Sequence, residues 1–414
     1  MQAEIITIGD ELLIGQTIDT NSAWLGQELS LRGISIYRIT SVSDKKEEII
    51  DAIDQALGRS QLVLVTGGLG PTKDDITKHT LCEYFNTKLV LNQEVLDRVE
   101  AFFKQRGREM LPTNTLQASL PEACTVIHNH HGTASGMWFE KNGNILISMP
   151  GVPYEMKGIM KDGVFPKLAE LFENNSIFHK TMHTQGIPES FLAEKIADWE
   201  IMVRESGLSL AYLPSPGTVK LRLTSSKGGV DKTKIDAYFA ALEFKLPKHI
   251  FGYNEDTLSS VVGKLLIEKN LTLATVESCT SGGLAKEITK TPGASAYFEG
   301  SFVTYSNQLK SLIAHVPKSV IDQFGAVSEQ TVLEMATNGK RLLGTDYCVA
   351  TSGIAGPDGG TTEKPVGLIW VAIAHPKGVY AKQFLFGGNR ENIISMTILS
   401  ALNLLRCTLL EIND

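Results

Sequence analysis

A chain of 414 residues with 43% hydrophobic and 21% charged residues has material for about two or three separate cores and excludes the disordered and fibrous classes. Its net charge of −7 argues against a surface built to coat nucleic acid or acidic lipid and favours small-molecule chemistry. Five scattered cysteines with no CxxC pair suggest neither a disulfide framework nor a zinc knuckle and fit a reducing compartment. No apolar run approaches the roughly 18 residues of a membrane helix, and Ala3 to Ile8 read at once as a strand with no basic leader, so a cytoplasmic, non-membrane protein is expected.

From residue 1 to about 174, the apolar runs "AEIITIG", "QLVLVTGG" and "NILISMPG" read as buried strands ending in glycine. Between them "TNSAWLGQELSLRG", with Thr20 or Asn21 as N-cap, and the acidic-starting "DDITKHTLCEYF" read as helices. Alternating strands and helices predict a mostly parallel α/β sheet, in which ligands collect at the carboxyl ends of the strands. In "VTGGLGPTKDDIT", Gly67, Gly68 and Gly70 offer successive N–H groups that suit a phosphate. Asp74 and Asp75 follow where they could hold a metal ion against it. The loop is not a Walker P-loop, since no Gly-Lys-Ser/Thr follows. An ordinary turn, with Asp10 and Asp75 as helix caps, is the competing reading. "HNHHG", containing His128, His130 and His131, lacks a clear ligating face and reads as a surface loop.

Residues 175–253 change character: "FHKTMHTQG", a helix in "PESFLAEKIADWE", strand-like "LSLAYLPSPGTVKLRLTSS" and a helix in "VDKTKIDAYFAALEFKL" predict a small α+β module. Its "QGIPES" provides no GxxG loop, so RNA or DNA binding is not expected.

Residues 254–414 open with the helix "LSSVVGKLLIEKN" and the strand "LTLATVE", which runs into Ser278, Cys279, Thr280 and Ser281 before Gly282-Gly283 and another helix. A hydroxyl nucleophile at a helix start can share the free N–H groups with the oxyanion it creates. Simple capping by Ser278 and Thr280 competes with that reading. Cys279 is the chemical rival, but successive side chains point about 100° apart, and a free cysteine is usually packing. "FEGSFVTYSNQLK", "TSGIAGPDGG" and "FGGNRENII" place Tyr305 and Lys310, Gly353 and Gly356, and Arg390 at further strand ends. His315 and His375 read as surface loop residues.

These motifs, "ESCT", "FVTYSN", "GAVSE", "SGIAGPDGG" and "KPVG", make the third segment similar to the CinA/PncC family, whose carboxyl-terminal domain is a nicotinamide mononucleotide (NMN) deamidase. The resemblance implies Ser278 as nucleophile, with Lys310 as base assisted by Tyr305 and no cofactor at this site. A lysine base must lose about three pKa units, which burial and a nearby cation could supply. Thr280, Ser281, Gly282, Gly353, Gly356 and Arg390 are expected to contact substrate, Arg390 through its phosphate. The family form ESCTGG has glycine where Ser281 stands.

Likewise "GDELL", "DTN", "GGLGPTKDD", "NTLQA", "GTASG" and "MPGVPYEM" make residues 3–160 similar to the CinA amino-terminal domain, related to the MoaB/MogA molybdopterin-binding fold, with Leu69 replacing a threonine of the TGGTG pattern. This implies an ADP-ribose pyrophosphatase using a divalent metal (Mg2+ or similar) held by Asp44, Asp75 and Asp10, with Gly67, Gly68 and Gly70 on the substrate. The middle segment is similar to the family's KH-like linker, and the family implies a homodimer. The expected architecture is therefore α/β: two three-layer α/β domains (1–174 and 254–414) joined by a small α+β KH-like module (175–253). The expected function is a bifunctional hydrolase of NMN and ADP-ribose. The alternative is a competence-related regulatory protein that binds a nucleotide or molybdopterin-like ligand without turnover.

Overall fold

Buried strands alternate with helices along most of the chain in a computed structural model, which describes residues 1–70, 72, 75–171 and 178–412. Asp74 lies outside the described residues. Two compact units form: Met1–Phe178 with Ser226–Asp231, and His179–Ser225 with Lys232–Asp414. The small middle module thus shares one unit with the carboxyl-terminal domain.

In the first unit, strands β1 (Gln2–Ile8), β2 (Ser35–Val42), β3 (Leu62–Thr66), β6 (Thr125–Ile127), β7 (Gly136–Lys141) and β8 (Asn144–Met149) form one sheet, order β2-β1-β3-β8-β7-β6. Strands β4 (Leu89–Leu91) and β5 (Ser119–Pro121) pair separately. The period of two along a strand builds a core on each face. Ile5, Leu62 and Leu64 pack with Leu25 and Leu29 on one side, while Ile6, Val63 and Val65 pack with Ile49 and Ile53 on the other. The expected N-cap at Thr20 or Asn21 is instead Asp19, which accepts the Ser22 N–H at 2.9 Å. Asn21 is buried, and its amide ties Thr66 Oγ1 (3.1 Å) to the Gly151 carbonyl (2.8 Å).

The second unit holds two sheets. Strands β9 (Phe178–Gln185), β10 (Ser209–Ser215), β11 (Thr218–Ser225) and β12 (Ile250–Tyr253) form the first, order β10-β11-β9-β12. Strands β13 (Leu273–Glu277), β14 (Phe298–Val303), β15 (Tyr347–Gly353), β16 (Leu368–His375) and β17 (Gly378–Leu385) form the second, order β14-β13-β15-β16-β17. Here β13 is parallel to both neighbours, but β15, β16 and β17 run antiparallel. Ala274, Val276 and Ala350 pack with Val332 and Met335 on one face; Leu273, Val349 and Val371 pack with Leu266 and Leu405 on the other. The final helix, Arg390–Leu409, is long and apolar enough by length and composition to cross a bilayer, contrary to the sequence expectation. Half of that apolar stretch is buried inside the fold, with Ile393, Ala401 and Leu405 in the core, so packing accounts for its composition.

Candidate active site

Strand β13 ends at Glu277 between two neighbours, so Ser278 emerges at the carboxyl end of the sheet. Its N–H donates to the Thr351 carbonyl (3.0 Å), and Thr304 N–H donates to the Glu277 carbonyl (2.8 Å), fixing the turn on both sides. The fully buried Glu277 carboxylate points forward into the start of the helix Gly283–Thr289. It accepts the N–H groups of Gly282 (3.0 Å), Leu284 (3.0 Å) and Ala285 (2.8 Å) and the hydroxyl of Thr280 (2.6 Å). A carboxylate supplied from inside the chain thus satisfies orphan donors of the helix start. The expectation that these N–H groups serve the Ser278 oxyanion is corrected: three of them are already engaged.

The same geometry turns the Thr280 hydroxyl and the Gly282 N–H inward, away from the expected substrate contacts. The Thr280 hydroxyl is buried between Glu277 and Thr351 Oγ1 (2.8 Å). Ser281 adopts the left-handed region (φ 53°), followed by Gly282 (φ 88°). Serine therefore occupies a conformation that costs an L-residue about 1 kcal/mol and that glycine adopts freely.

Lys310, on the helix Asn307–Leu312, is buried (2% exposed) and reaches back to the turn. Its Nζ lies 2.9 Å from Ser278 Oγ, 2.9 Å from the Thr304 carbonyl and 3.3 Å from the Tyr305 carbonyl. Carbonyls only accept. A neutral amine can therefore give its two hydrogens to Thr304 and Tyr305, leaving its lone pair to face the Ser278 hydroxyl. Burial holds the amine below the usual lysine value, and a minor opposing influence from Cys279 raises it. No cation contributes, so the expected help from Arg390 is corrected: desolvation provides the shift. Cys279 is 5% exposed and packs in the core; burial pushes its thiol up to about 12, which removes it as a competing thiolate.

Ser278, Cys279 and Lys310 border a cavity of about 170 Å³ with Tyr305, Asn307, Ala326, Val327, Ser352, Gly353, Ala355 and Arg390. The Tyr305 hydroxyl accepts from Arg390 Nη2 (3.1 Å) rather than meeting Ser278 or Lys310, while Arg390 Nη1 donates to the Gly356 carbonyl (2.8 Å). The expected proton-moving part for the phenol gives way to one in which Tyr305 and Gly356 aim the guanidinium. A Cβ on Gly353 would sit 2.8 Å from the Leu368 carbonyl, so glycine is required at this rim. Residues not singled out from the sequence complete the site. Lys364 Nζ donates to the Phe324 (2.7 Å) and Val327 (2.8 Å) carbonyls, Ser352 Oγ donates to the Ala326 carbonyl (2.6 Å), and Asn307 lines the pocket. The "KPVG" and "GAVSE" stretches were the available signal, since a lysine on one loop binds the backbone of the other.

In the first unit Asp10 and Asp44 face one another: Asp10 N–H donates to Asp44 Oδ2 (3.0 Å) and Asp44 N–H to Asp10 Oδ1 (3.4 Å). Asp44 is held above the usual carboxylate range by burial, and further by the charges of Asp10, Glu11 and Asp75, against the lowering by the Asp10 N–H. Asp75 is otherwise engaged. It accepts Gly70 N–H (2.7 Å) and both the N–H (2.9 Å) and the hydroxyl (2.6 Å) of Thr72, so it shapes the glycine loop and is not the helix cap. Gly67 N–H donates to the Met149 carbonyl (3.1 Å). The expected row of free N–H groups is therefore corrected at Gly67 and Gly70. A Cβ at Gly68 (φ 62°) would meet Thr77 Oγ1 at 2.1 Å, which explains the glycine by packing. Among the described residues no group of three His, Cys, Asp or Glu side chains converges as a preformed metal cage, so Asp10, Asp44 and Asp75 do not form one. In the histidine loop, His128 lies 3.2 Å from Glu94 and His131 3.8 Å from Asp162, acidic neighbours brought from other helices.

The fold defines a multidomain protein with a MoaB-like unit and an α/β domain that holds a buried Ser–Lys pair at a strand end. Residues 4–170 match the profile "Probable molybdopterin binding domain", 179–254 "Damage-inducible protein CinA KH domain", and 255–409 "CinA C-terminal domain". The chain is 49% identical to a CinA-like protein of Cytophaga hutchinsonii, over 99% of this chain and 98% of that one. It is 44% identical to a CinA-like protein of Flavobacterium psychrophilum, over 98% of each. Among solved structures, CinA of Thermoplasma acidophilum matches 39% of this chain and 94% of its own at 35% identity and TM-score 0.36. The chain belongs to the CinA family.

Proposed function

We propose that the carboxyl-terminal domain hydrolyses the carboxamide of NMN to nicotinate mononucleotide and ammonia. The observation that carries this reading is the buried Lys310 amine 2.9 Å from Ser278 Oγ, with two carbonyls taking its hydrogens. Ser278 Oγ attacks the amide carbon as its proton passes to Lys310 Nζ. The tetrahedral intermediate collapses as Lys310 returns that proton to the departing nitrogen, releasing ammonia and leaving an ester on Ser278. Water then attacks the ester, Lys310 again taking and returning the proton, and the carboxylate departs. A cavity of about 170 Å³ is below the roughly 300 Å³ of whole-ligand pockets, so it suits the pyridine carboxamide, with the ribose phosphate outside near Arg390. The Asn307 side-chain amide is the lining group we assign to the oxyanion.

For the amino-terminal unit we propose metal-dependent hydrolysis of ADP-ribose. Asp10 and Asp44 lie together, and the charges of Asp10, Glu11 and Asp75 add to burial in raising Asp44; one or two carboxylates, with the remaining positions left to water and substrate phosphates, is how proteins hold Mg2+. Such an ion would neutralise the diphosphate and lower the pKa of the attacking water.

Incubating the protein with NMN and measuring ammonia tests the first activity. Release that survives EDTA but vanishes in Ser278→Ala supports it; no release from folded protein rejects it. AMP formation from ADP-ribose with Mg2+, abolished by EDTA and by Asp44→Asn, tests the second.

A further inference from the structure

Four consecutive main-chain carbonyls in the turn between the helices Lys318–Phe324 and Glu329–Leu343 accept from side chains of three different segments. Lys364, from the loop that follows β15, gives Nζ hydrogens to Phe324 (2.7 Å) and Val327 (2.8 Å). Ser328 Oγ (2.9 Å) and Thr331 Oγ1 (2.7 Å) donate to Gly325, and Ser352 Oγ, near the end of β15, donates to Ala326 (2.6 Å). Gly325 holds φ 81°, and a Cβ there would come 3.0 Å from Lys364 Nζ, so the turn is shaped around the amine. Connecting turns are normally among the more mobile parts of a fold. This one is tied down at every carbonyl from 324 to 327, and through Ala326 and Val327 it forms one wall of the serine pocket.

Fixing a carbonyl also fixes the N–H of the same peptide, because the unit is planar and trans and its two polar groups point in opposite directions. The Gly325 carbonyl is drawn to the start of the helix Glu329–Leu343, so the Ala326 N–H points away from that helix. It meets no acceptor among the described residues. A main-chain donor on a pocket wall calls for an acceptor. On the Ser278 side, Glu277 consumes the N–H groups of Gly282, Leu284 and Ala285, so an oxyanion formed there draws on other walls of the cavity.

We propose that the Ala326 N–H is a second donor to the oxyanion formed at Ser278, beside the Asn307 amide, and that Lys364 and Ser352 are positioning residues that hold its peptide in place. This rests on the amide-hydrolase reading of the pocket and deepens it by naming the groups that select a tetrahedral anion. The test uses the full-length chain and pyridine-3-boronic acid, whose boron bonds to Ser278 Oγ as the serine proton passes to Lys310. The tetrahedral adduct is seen by boron NMR and lost in Ser278→Ala. Two changes probe the donor: exchanging Ala326 for lactic acid, which puts an ester oxygen in place of the N–H, and Lys364→Met, which releases the turn. Boronate affinity should fall about 10²-fold in the first and about tenfold in the second, with kcat for NMN falling in step and KM within about threefold. Melting curves confirm that each protein is folded. Boronate affinity within about twofold of the parent in both folded proteins overturns the proposal, as does a rise in KM with kcat unchanged, or a parent that forms no adduct. The adduct needs no turnover, so a parent that binds the boronate but leaves NMN intact rejects the function and not the donor.

Discussion

Lys310 approaches Ser278 from a different helix and is held in a three-point nest: two main-chain carbonyls and the serine oxygen, all within 3.3 Å of Nζ. Because burial lowers its pKa from 10.5, the base form is reached at a pH below the ordinary lysine value. NMN hydrolysis is therefore expected to rise with pH as the ammonium loses its proton and to level off before 10.5. Lys310→Ala should lower kcat by about 10²–10⁴-fold and abolish the rise. Lys310→Arg should not restore it, because guanidinium keeps its proton. A pH profile of kcat/KM for the three proteins checks this.

Cys279 adjoins Ser278, but its thiol is pushed up to about 12. Cys279→Ala should retain activity within about tenfold, with a stability loss of roughly 1 kcal/mol from the small cavity, whereas Ser278→Ala should lose all detectable ammonia release. Intact-mass spectrometry of protein quenched during turnover should find an added acyl group of the whole mononucleotide (NMN less ammonia) only when Ser278 is present.

Glu277 contacts no substrate in this reading and acts by positioning the turn. Replacing it with glutamine sets an NH2 group among backbone donors and should cost about 3 kcal/mol, the scale of breaking a buried charged network. Chemical denaturation measures the loss. In the folded fraction kcat should fall more than KM rises, because the displaced serine fails in the transition state.

Ser281 holds a left-handed conformation. Ser281→Gly relieves strain but adds freedom to the unfolded chain, so stability should change by less than about 0.5 kcal/mol. Ser281→Val, β-branched in the same region, should lose about 1–2 kcal/mol. Paired melting curves distinguish the two.

Lys78 provides a test independent of function. Burial lowers its pKa from 10.5 to about 8, and its Nζ donates to the Leu116 carbonyl at 2.8 Å. Between about 8 and 10.5 the unfolded chain binds a proton that the folded chain lacks, so folding stability contributed by this group rises with pH across that window, by up to about 3 kcal/mol. Lys78→Met should remove this contribution, which denaturation at pH 7.5 and pH 9.5 will measure.

Much of the site was legible because each part was local. Strand ends, glycine turns and the hydroxyl row at 278–281 are short-range features, and the strands preceding Gly67 and Ser278 lie where the apolar runs placed them. The antiparallel half of the carboxyl-terminal sheet was not legible, since β16 and β17 read the same in either direction. Nor was the partnering of donors. Glu277 looks from sequence like one more polar residue of the motif, yet it consumes the N–H groups on which an oxyanion would otherwise draw. Asp75 likewise takes the glycine-loop N–H at Gly70, and Tyr305 turns to Arg390 instead of Ser278.

What the order of residues alone determined is the set of chemical groups and the elements that carry them, because helix and strand periodicity, capping and turn chemistry act over a few positions. Only the tertiary structure decided which group meets which and which is dry. Bringing Lys310 to Ser278, 32 positions apart, and excluding water from the amine depend on packing between distant segments. Desolvation, which sets the base strength of that lysine, exists only once the core has closed around it.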